Sequence, residues 1–326
     1  MKKSLIFFFC ALPLILTAQF FKKSEPFTHT YSIVARDSMT GDMAVAVQSH
    51  WFSVGSVVTY GKAGIGVVAT QSLVNPSYGP KGLALMEQGL SPQQALDVLL
   101  ANDSGQMYRQ VAFLDKQGNV ATHTGDLCIA EAGHRQGRNF SVQANMMLNN
   151  TVWDAMAKAF KTTQGDLSQR VLAALKAAEV EKGDIRGKQS AAILVVKGEA
   201  TGNSWEDVIM DLRVEDHKNP VQELERLVKV HKAYGFMNQG DLAMEKGNSK
   251  EAEMLYMKAQ ELFPDNLEMR YWYAINLLNN GDMDRAKPIL KTIFKQDENW
   301  RILTNRLVKS QLLVISKNDL EWVMKL

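Results

Sequence analysis

Residues 30–72 constrain the fold of this chain more than any other stretch. Apolar and polar residues alternate there in short β-branched runs separated by Gly- and Asp-containing turns, which is typical of antiparallel β-strands. The glycines of GKAGIG indicate a tight turn, and their spacing differs from that of a phosphate-binding loop. The pattern therefore predicts a four-strand meander, with strands near 30–36, 43–47, 54–60 and 64–70.

Residues 1–18 have the three parts of a secretory signal peptide. Lys2 and Lys3 precede an apolar run over 5–16, and Ala18 completes a small-residue cleavage site. The run is too short to span a membrane. We therefore expect an exported protein, periplasmic or secreted, whose mature chain begins with a leader or linker over 19–29.

The charge balance argues against several classes of partner. The chain has 37 basic and 35 acidic side chains, and loss of the two signal-peptide lysines makes the balance neutral. A neutral chain lacks the electrostatic footprint of a nucleic-acid-binding protein. Cys128 is the only cysteine beyond the signal, so no intrachain disulfide forms, and its simplest role is that of a small buried hydrophobe. We expect no cofactor, no nucleic acid and no membrane span after signal removal.

The pattern up to residue 218 alternates strands with pairs of helices. Helices are predicted near 83–89, after the N-cap Ser91, near 151–163, and after the N-cap Asp166. The further predicted strands are RQVAFLD, VATHT, FSVQANMML, QSAAILVVK and VIMDLRV, the last two as buried strands. This order favours an α+β domain in which two sheets pack face to face with helices outside.

Residues 219–326 change to a helix-forming composition and contain an internal repeat. A helix is predicted to begin at Pro220. The repeat has the ~34-residue period of tetratricopeptide repeats, in which Gly240, Gly247 and Ala252 recur as Ala274, Gly281 and Ala286. Pro288 and Glu298 depart from the pattern in the second copy. Residues 300–326 are predicted to form a capping helix or pair of helices, docked on the repeats or on the first domain.

Nine sequence blocks spread over residues 30–221 together resemble the DUF1028 family, which has no assigned biochemical role. The blocks are TYSIVARD, AVAVQS, GVVATQS, NPSYGPKGLALM, HTGDLC, AGH, VQANMM, GDIRGKQSAAILVV and DLRVEDH. That family is similar in fold to N-terminal-nucleophile hydrolases. The resemblance therefore implies a four-layer α-β-β-α sandwich over 30–218, followed here by an all-α helical-repeat domain over 219–326.

The resemblance makes Thr30 the candidate nucleophile. In hydrolases of that fold the first residue of the first strand is Thr, Ser or Cys, and its own α-amine activates the side chain. Residues 19–29 still precede Thr30 after signal cleavage, so a second cleavage is required. A plain strand start explains Thr30 as well. Gln48 and Ser49 replace the acid that other members place near the end of the second strand. Both are candidates for binding a substrate carbonyl or amide, and Ser49 is also a candidate catalytic residue.

Further polar residues at strand ends complete the candidate site. Asn75 and Asn145 are candidate catalytic amides, because such groups serve as oxyanion donors, although Asn before Pro is also ordinary turn chemistry. The other candidate substrate-binding residues are Gln71, Ser72, His123, Gln143, Asp184, Arg186 and Gln189. An internal hydrogen-bond network or a structural Asp–Arg ion pair explains several of them equally well. His123 and His134 lack the close spacing of metal ligands.

Two functions lead from the sequence, and a third, a cell-wall accessory, rests only on the peptidoglycan-binding-like module that some members of the resembled family carry. The first is an exported amide hydrolase that acts on a small amide or peptide, with repeats that bind a protein partner. The second is a non-catalytic cell-envelope protein that binds a ligand through the sandwich and assembles through the repeats. A homodimer is compatible with both, since sheet sandwiches of this kind often pair with themselves.

Overall fold

The computed structural model describes residues 27–28 and 30–326, and the chain divides into two compact units between Ile209 and Met210. The predicted signal peptide and the leader up to residue 26, together with His29, lie outside the described residues. The strands are β1 (Phe27–Thr28), β2 (Thr30–Arg36), β3 (Met43–Ser49), β4 (Thr59–Lys62), β5 (Gly66–Leu73), β6 (Arg109–Asp115), β7 (Val120–Thr124), β8 (Gly133–Gly137), β9 (Phe140–Ala144), β10 (Ser190–Val196) and β11 (Val208–Val214). The helices among them are α1 (Gly55–Val58), α2 (Tyr78–Glu87), α3 (Pro92–Ala101), α4 (Val152–Thr162) and α5 (Leu167–Val180).

The strands form two antiparallel sheets. The first has the order β1-β5-β6-β7, with β4 also paired to β5, and the second has the order β11-β10-β3-β2-β9-β8. The helices α2 and α3 pack on the first sheet, and α4 and α5 pack on the second. Between the sheets lies an apolar core to which Val34 and Val45 of one sheet and Val67 and Leu114 of the other contribute.

The predicted four-strand meander is wrong in two respects. First, residues 55–58 of the predicted third strand form the helical turn α1, and the strand is confined to Thr59–Lys62. Val54 and Val58 are both buried in the core between the sheets, and their spacing suits a helical turn as well as an extended strand. Second, β2 and β3 belong to one sheet whereas β4 and β5 belong to the other, because alternation sets the face of a residue but not the partner of its strand.

Two predicted helix starts are confirmed in detail. The Ser91 side chain accepts a hydrogen bond from the Gln94 backbone N–H, and the Gln94 side chain accepts one from the Ser91 backbone N–H. Asp166 caps α5 through the same pair of bonds. Strand β8 was not predicted, because glycine has a low propensity for β-strands and two of its five residues are glycine. Strand β11 was predicted as buried, whereas most of its residues are partly or fully exposed. The reason is that β11 lies at the edge of its sheet.

From Pro220 onward the second unit is helical, and its repeats occupy the predicted places. The helices are α6 (Pro220–Glu245), α7 (Ser249–Leu262), α8 (Leu267–Asn279), α9 (Met283–Gln296), α10 (Asn299–Lys309) and α11 (Lys317–Val323). The small repeat residues Ala252, Ala274 and Ala286 are fully buried in its core. Leu307 and Val323 belong to the same core, so α10 and α11 form a capping pair that docks on the repeats.

We expect opposite effects from two glycine substitutions in α6. A Cβ atom on Gly240 would lie 2.7 Å from Cε1 of Tyr256, whereas a Cβ atom on Gly235 would meet nothing within 4 Å. Gly235→Ala should therefore stabilise the helical unit by about 0.5 to 1 kcal/mol through helix propensity. Gly240→Ala should destabilise it by about 1 to 3 kcal/mol through overpacking. Urea unfolding followed by circular dichroism measures both, and equal shifts of the same sign would contradict the packing described here.

Candidate functional site

Strand register aligns several polar residues at one end of the second sheet. Thr30 at the start of β2 pairs with Ser49 at the end of β3, and Ser49 pairs in turn with Ser190 at the start of β10. Side chains that pair directly across neighbouring strands lie on the same face. Asn145 follows the last residue of β9, and its backbone N–H donates to the Thr30 carbonyl at 3.0 Å. Thr30, Ser49, Ser190 and Asn145 therefore lie in a row, and all four are buried.

The first sheet brings two glutamines to the same end of the domain. Gln71 of β5 pairs in register with Gln110 of β6, and the Gln71 Nε2 donates to the Gln110 Oε1 at 2.7 Å. The same Nε2 lies 3.2 Å from the Thr30 carbonyl oxygen. The Gln110 Oε1 also accepts from the Asn145 Nδ2 at 2.9 Å. Side-chain amides thus connect the two sheets directly beside Thr30.

Serine and glutamine side chains extend this amide network deeper between the sheets. The Ser32 hydroxyl donates to the Gln71 Oε1 at 2.5 Å and accepts from the Gln143 Nε2 at 2.6 Å. The Ser141 hydroxyl donates to the Gln143 Oε1 at 3.0 Å. Buried amides are stable only when they are paired in this way. The candidate residues Gln71 and Gln143 are consequently committed to the interior network.

The network holds the backbone of Thr30. Its carbonyl oxygen accepts from the Asn145 backbone N–H, the Asn145 Nδ2 at 3.3 Å and the Gln71 Nε2. Immediately upstream, β1 pairs with the end of β5, so that Thr28 lies opposite Ser72. Residues 27–28 therefore belong to the first sheet, whereas Thr30 begins a strand of the second. Thr30 is fully buried.

A carboxylate reaches the end of β3 from a distant loop. Asp184, which follows α5, accepts a hydrogen bond from the His50 backbone N–H at 3.1 Å. It also forms an ion pair with the Arg186 Nη2 at 2.7 Å. The Gln189 backbone N–H donates to the Ser49 carbonyl at 3.2 Å. This loop thereby fixes the last residue of β3. The Asp184–Arg186 ion pair lies within the turn, as the structural interpretation of these residues predicted. The loop also places a carboxylate at the end of β3, a strand that has no acidic residue there.

Gln48 faces away from Thr30, although it precedes Ser49. Its register partner Tyr31 donates to Glu179 of α5 at 3.2 Å, and burial together with Glu179 raises the pKa of Tyr31 well above its usual value. Gln48 therefore lies on the face of the sheet covered by α5. Its Nε2 and Oε1 are buried and have no hydrogen-bond partner among the described residues. Such a side chain is unusual, because an unpaired buried amide destabilises the fold.

Three other candidate residues, Asn75, His123 and Ser72, do not join this network. The Asn75 Oδ1 accepts from the Ser77 backbone at 3.1 Å, which is the turn geometry expected of Asn before Pro. The His123 Nε2 bonds the Gln106 carbonyl at 2.8 Å. Ser72 alternates with Gln71 along β5 and so points to the opposite face. The structure therefore gathers Thr30, Ser49, Gln71, Gln143, Asn145 and the Asp184 loop at one end, without these three.

The neighbouring histidine and cysteine are poorly suited to act as charged groups. The His134 Nδ1 bonds the Thr124 hydroxyl at 2.9 Å, and burial, with help from Arg135, lowers the pKa of His134. Burial raises the pKa of the Cys128 thiol, which is only partly buried, in contrast to the sequence prediction. Across the part of the chain that the structure describes, no three His, Cys, Asp or Glu side chains are grouped to hold a metal ion.

The sequence analysis missed Gln110, which has the most connections in the network. Its Oε1 accepts from Gln71 and Asn145, and its Nε2 donates to the Thr124 hydroxyl at 3.0 Å and the Ala144 carbonyl at 2.9 Å. The available signal was its position in RQVAFLD. Gln110 alternates in step with Ala112 and Leu114, both buried, so a polar side chain there had to find partners in the interior.

These features define an α+β domain with two antiparallel sheets that is followed in the chain by a helical region. Residues 30–224 match the model of the family of unknown function DUF1028, and residues 243–307 match a tetratricopeptide repeat. The first match covers more than half of the chain. This chain belongs to the DUF1028 family, as its sequence blocks indicated.

Solved structures and curated proteins were also compared. A DUF1028-family protein from Silicibacter pomeroyi is 32% identical, with a TM-score of 0.56 over 62% of this chain and 88% of that one. Anbu, the ancestral beta-subunit, from Yersinia bercovieri is 10% identical, with a TM-score of 0.31 over 67% of this chain and 97% of that one. A search of the curated proteins found no match. No helix in the described residues combines the length and apolarity required to cross a membrane.

Two glutamine substitutions should separate an unpaired amide from a paired one. Gln48→Met keeps the volume and removes two unpaired buried groups, so the free energy of unfolding should rise by about 1 to 2 kcal/mol. Gln71→Met removes the acceptor of the Ser32 hydroxyl and one of the donors to the Gln110 Oε1, and it should lower the free energy of unfolding by about 2 to 4 kcal/mol. Urea titration of both variants gives the values. A loss of stability in Gln48→Met equal to that in Gln71→Met would show that the Gln48 amide has a bound partner.

Proposed function

We propose that the first domain is an amide hydrolase of the N-terminal-nucleophile type and that Thr30 is its nucleophile. The observation that carries the proposal is the position of Thr30, which begins a central strand with its carbonyl held by donors from both sheets. The helix pairs on the two sheets support a four-layer α-β-β-α sandwich of that type. A nucleophile must be positioned accurately before it reacts.

The proposed reaction begins after cleavage of the bond between His29 and Thr30. The freed α-amine of Thr30 takes the proton from its own hydroxyl, and the Oγ atom attacks the carbonyl carbon of the substrate amide. The C–N bond then breaks, the proton goes to the departing amine, and an ester on Thr30 remains. Water hydrolyses this ester, which releases the acid and restores the hydroxyl.

The surrounding residues have separate roles in this proposal. Asn145 and Gln71 are positioning residues, because their donors hold the Thr30 carbonyl and not a substrate atom. Ser49 is directly opposite Thr30 and provides the hydroxyl best placed to bind the substrate. Asp184 supplies a carboxylate at the end of β3. Its negative charge favours the ammonium form that the new α-amine takes when it accepts the hydroxyl proton.

The helical region has a proposed role of its own. Tetratricopeptide repeats suggest protein binding, so we assign to this region the recruitment of a protein partner. The apolar segment over 5–16 and the small-residue site at Ala18 support export to the periplasm or beyond. The whole chain would then be an exported hydrolase that a partner recruits through its repeats.

One observation favours a non-catalytic alternative. Thr30 is fully buried while β1 remains paired with β5, and an uncleaved Thr30 has no free amine. If the chain stays in this form, the sandwich acts as a binding or assembly domain of the cell envelope. The processing state of Thr30 therefore separates the two functions.

We expect the exported protein to carry Thr30 at its N-terminus. Intact-mass spectrometry and N-terminal sequencing of the purified exported protein measure this directly. Thr30→Ser should be processed in the same way because it keeps a hydroxyl nucleophile, whereas Thr30→Ala should retain residues 19–29 if the cleavage is autocatalytic. A wild-type chain that begins at Gln19 would support the non-catalytic alternative.

We expect the processed wild type to hydrolyse members of a panel of small chromogenic amides and peptides. Thr30→Ala should reduce kcat/KM by at least about a thousandfold, in the range of other nucleophile deletions. Thr30→Ser is the matched control and should retain measurable activity with the same fold and oligomeric state. Hydrolysis that is equal in wild type and Thr30→Ala would exclude Thr30 as the nucleophile.

A further inference from the structure

The helical unit contains a groove of about 600 Å³, a size typical of ligand sites. Three consecutive helices and the loop between α10 and α11 form its walls. The lining residues are Asp241, Met244, Glu245, Tyr256, Trp272, Ile275, Asn276, Asn279, Gln311, Leu312 and Val314. The groove therefore combines acidic, aromatic and aliphatic side chains.

All the charged residues of this groove are acidic. Asp241 and Glu245 lie four residues apart on α6 and so share one face of the helix, where like charges repel. Asp241 accepts a hydrogen bond from the Tyr256 hydroxyl at 2.6 Å. Glu245 has no hydrogen-bond or ion-pair partner among the described residues. Neither carboxylate is neutralised by a basic side chain that lines the groove, so the groove has a negative potential.

The apolar part of the groove is formed by the loop between α10 and α11, which is hydrogen-bonded to Asn279 of α8. The Asn279 Nδ2 donates to the Leu312 carbonyl at 3.0 Å, and the Val314 N–H donates to the Asn279 Oδ1 at 2.9 Å. These bonds fix the loop, yet the Leu312 and Val314 side chains are 55% and 70% exposed. Trp272 adds an aromatic surface to the same groove. Fixed and exposed aliphatic groups beside an aromatic ring are typical of a binding surface.

We propose that this groove binds an extended segment of a protein partner in which Lys or Arg is next to a bulky apolar residue. The cation pairs with Asp241 and Glu245 and contacts the Trp272 ring, which attracts positive charge. The neighbouring apolar side chain packs on Leu312 and Val314. An acidic segment would add a third negative charge to the groove. The inference rests on the partner-binding part of the proposed function and is independent of hydrolysis.

The test is isothermal titration calorimetry with the full chain and capped hexapeptides. One peptide alternates leucine with lysine, a second replaces lysine with glutamate, and a third replaces leucine with serine. We expect the leucine–lysine peptide to bind, with an affinity that falls as salt is added. The double variant Asp241→Asn/Glu245→Gln should weaken that binding about tenfold. The double variant Glu261→Gln/Glu321→Gln changes the charge equally outside the groove and should bind like wild type.

Several results would overturn the inference. Unchanged binding in Asp241→Asn/Glu245→Gln would exclude the groove as the cation site. Preference for the glutamate peptide would contradict the proposed selectivity of the groove for cations but would leave protein binding by the repeats in place. Absence of heat with every peptide at about 1 mM would contradict the proposal that the groove binds such segments. Sedimentation velocity that shows a dimer abolished by Leu312→Ser would assign the groove to a second copy of the chain.

Discussion

Side-chain amides join the two sheets at the end where β2 begins, and the candidate site depends on them. Gln110 accepts from both Gln71 and Asn145, which belong to opposite sheets. Each amide is fully buried, and sliding one sheet over the other would break several of these bonds at once, where buried polar groups are costly to leave unpaired. The sheets are consequently held in one relative position at this end. An apolar core alone is less directional and would tolerate small shifts of one sheet over the other.

The same network holds the backbone of Thr30. Its carbonyl oxygen is held by donors from both sheets, and residues 27–28 continue the edge of the first sheet beside β5. These contacts fix the position of the residue at the start of β2. In the function proposed above, cleavage would expose an α-amine on a backbone that is already held in place.

Contacts between residues far apart in the sequence also supply the acidic group that is missing at the end of β3. β3 ends without an acid, and Asp184 reaches its end from a loop 134 residues away along the chain. In the helical unit, small residues at repeat positions allow the helices to approach, and the capping pair completes the core. The exposed acidic and aliphatic groove is then formed between the repeats and the loop that ends them. Each feature joins segments that no single sequence motif contains.

The sequence by itself determined the local elements and the family. The capped starts of α3 and α5 depend on contacts within three residues, and the repeats follow from a regular spacing of small side chains. Only the tertiary structure decided that β4 and β5 leave the sheet of β2 and β3, that Gln48 faces α5, and that Gln110 joins the network. The physical reason is range: caps and alternation are encoded by neighbours, whereas sheet membership and buried hydrogen bonds depend on partners brought together only by folding.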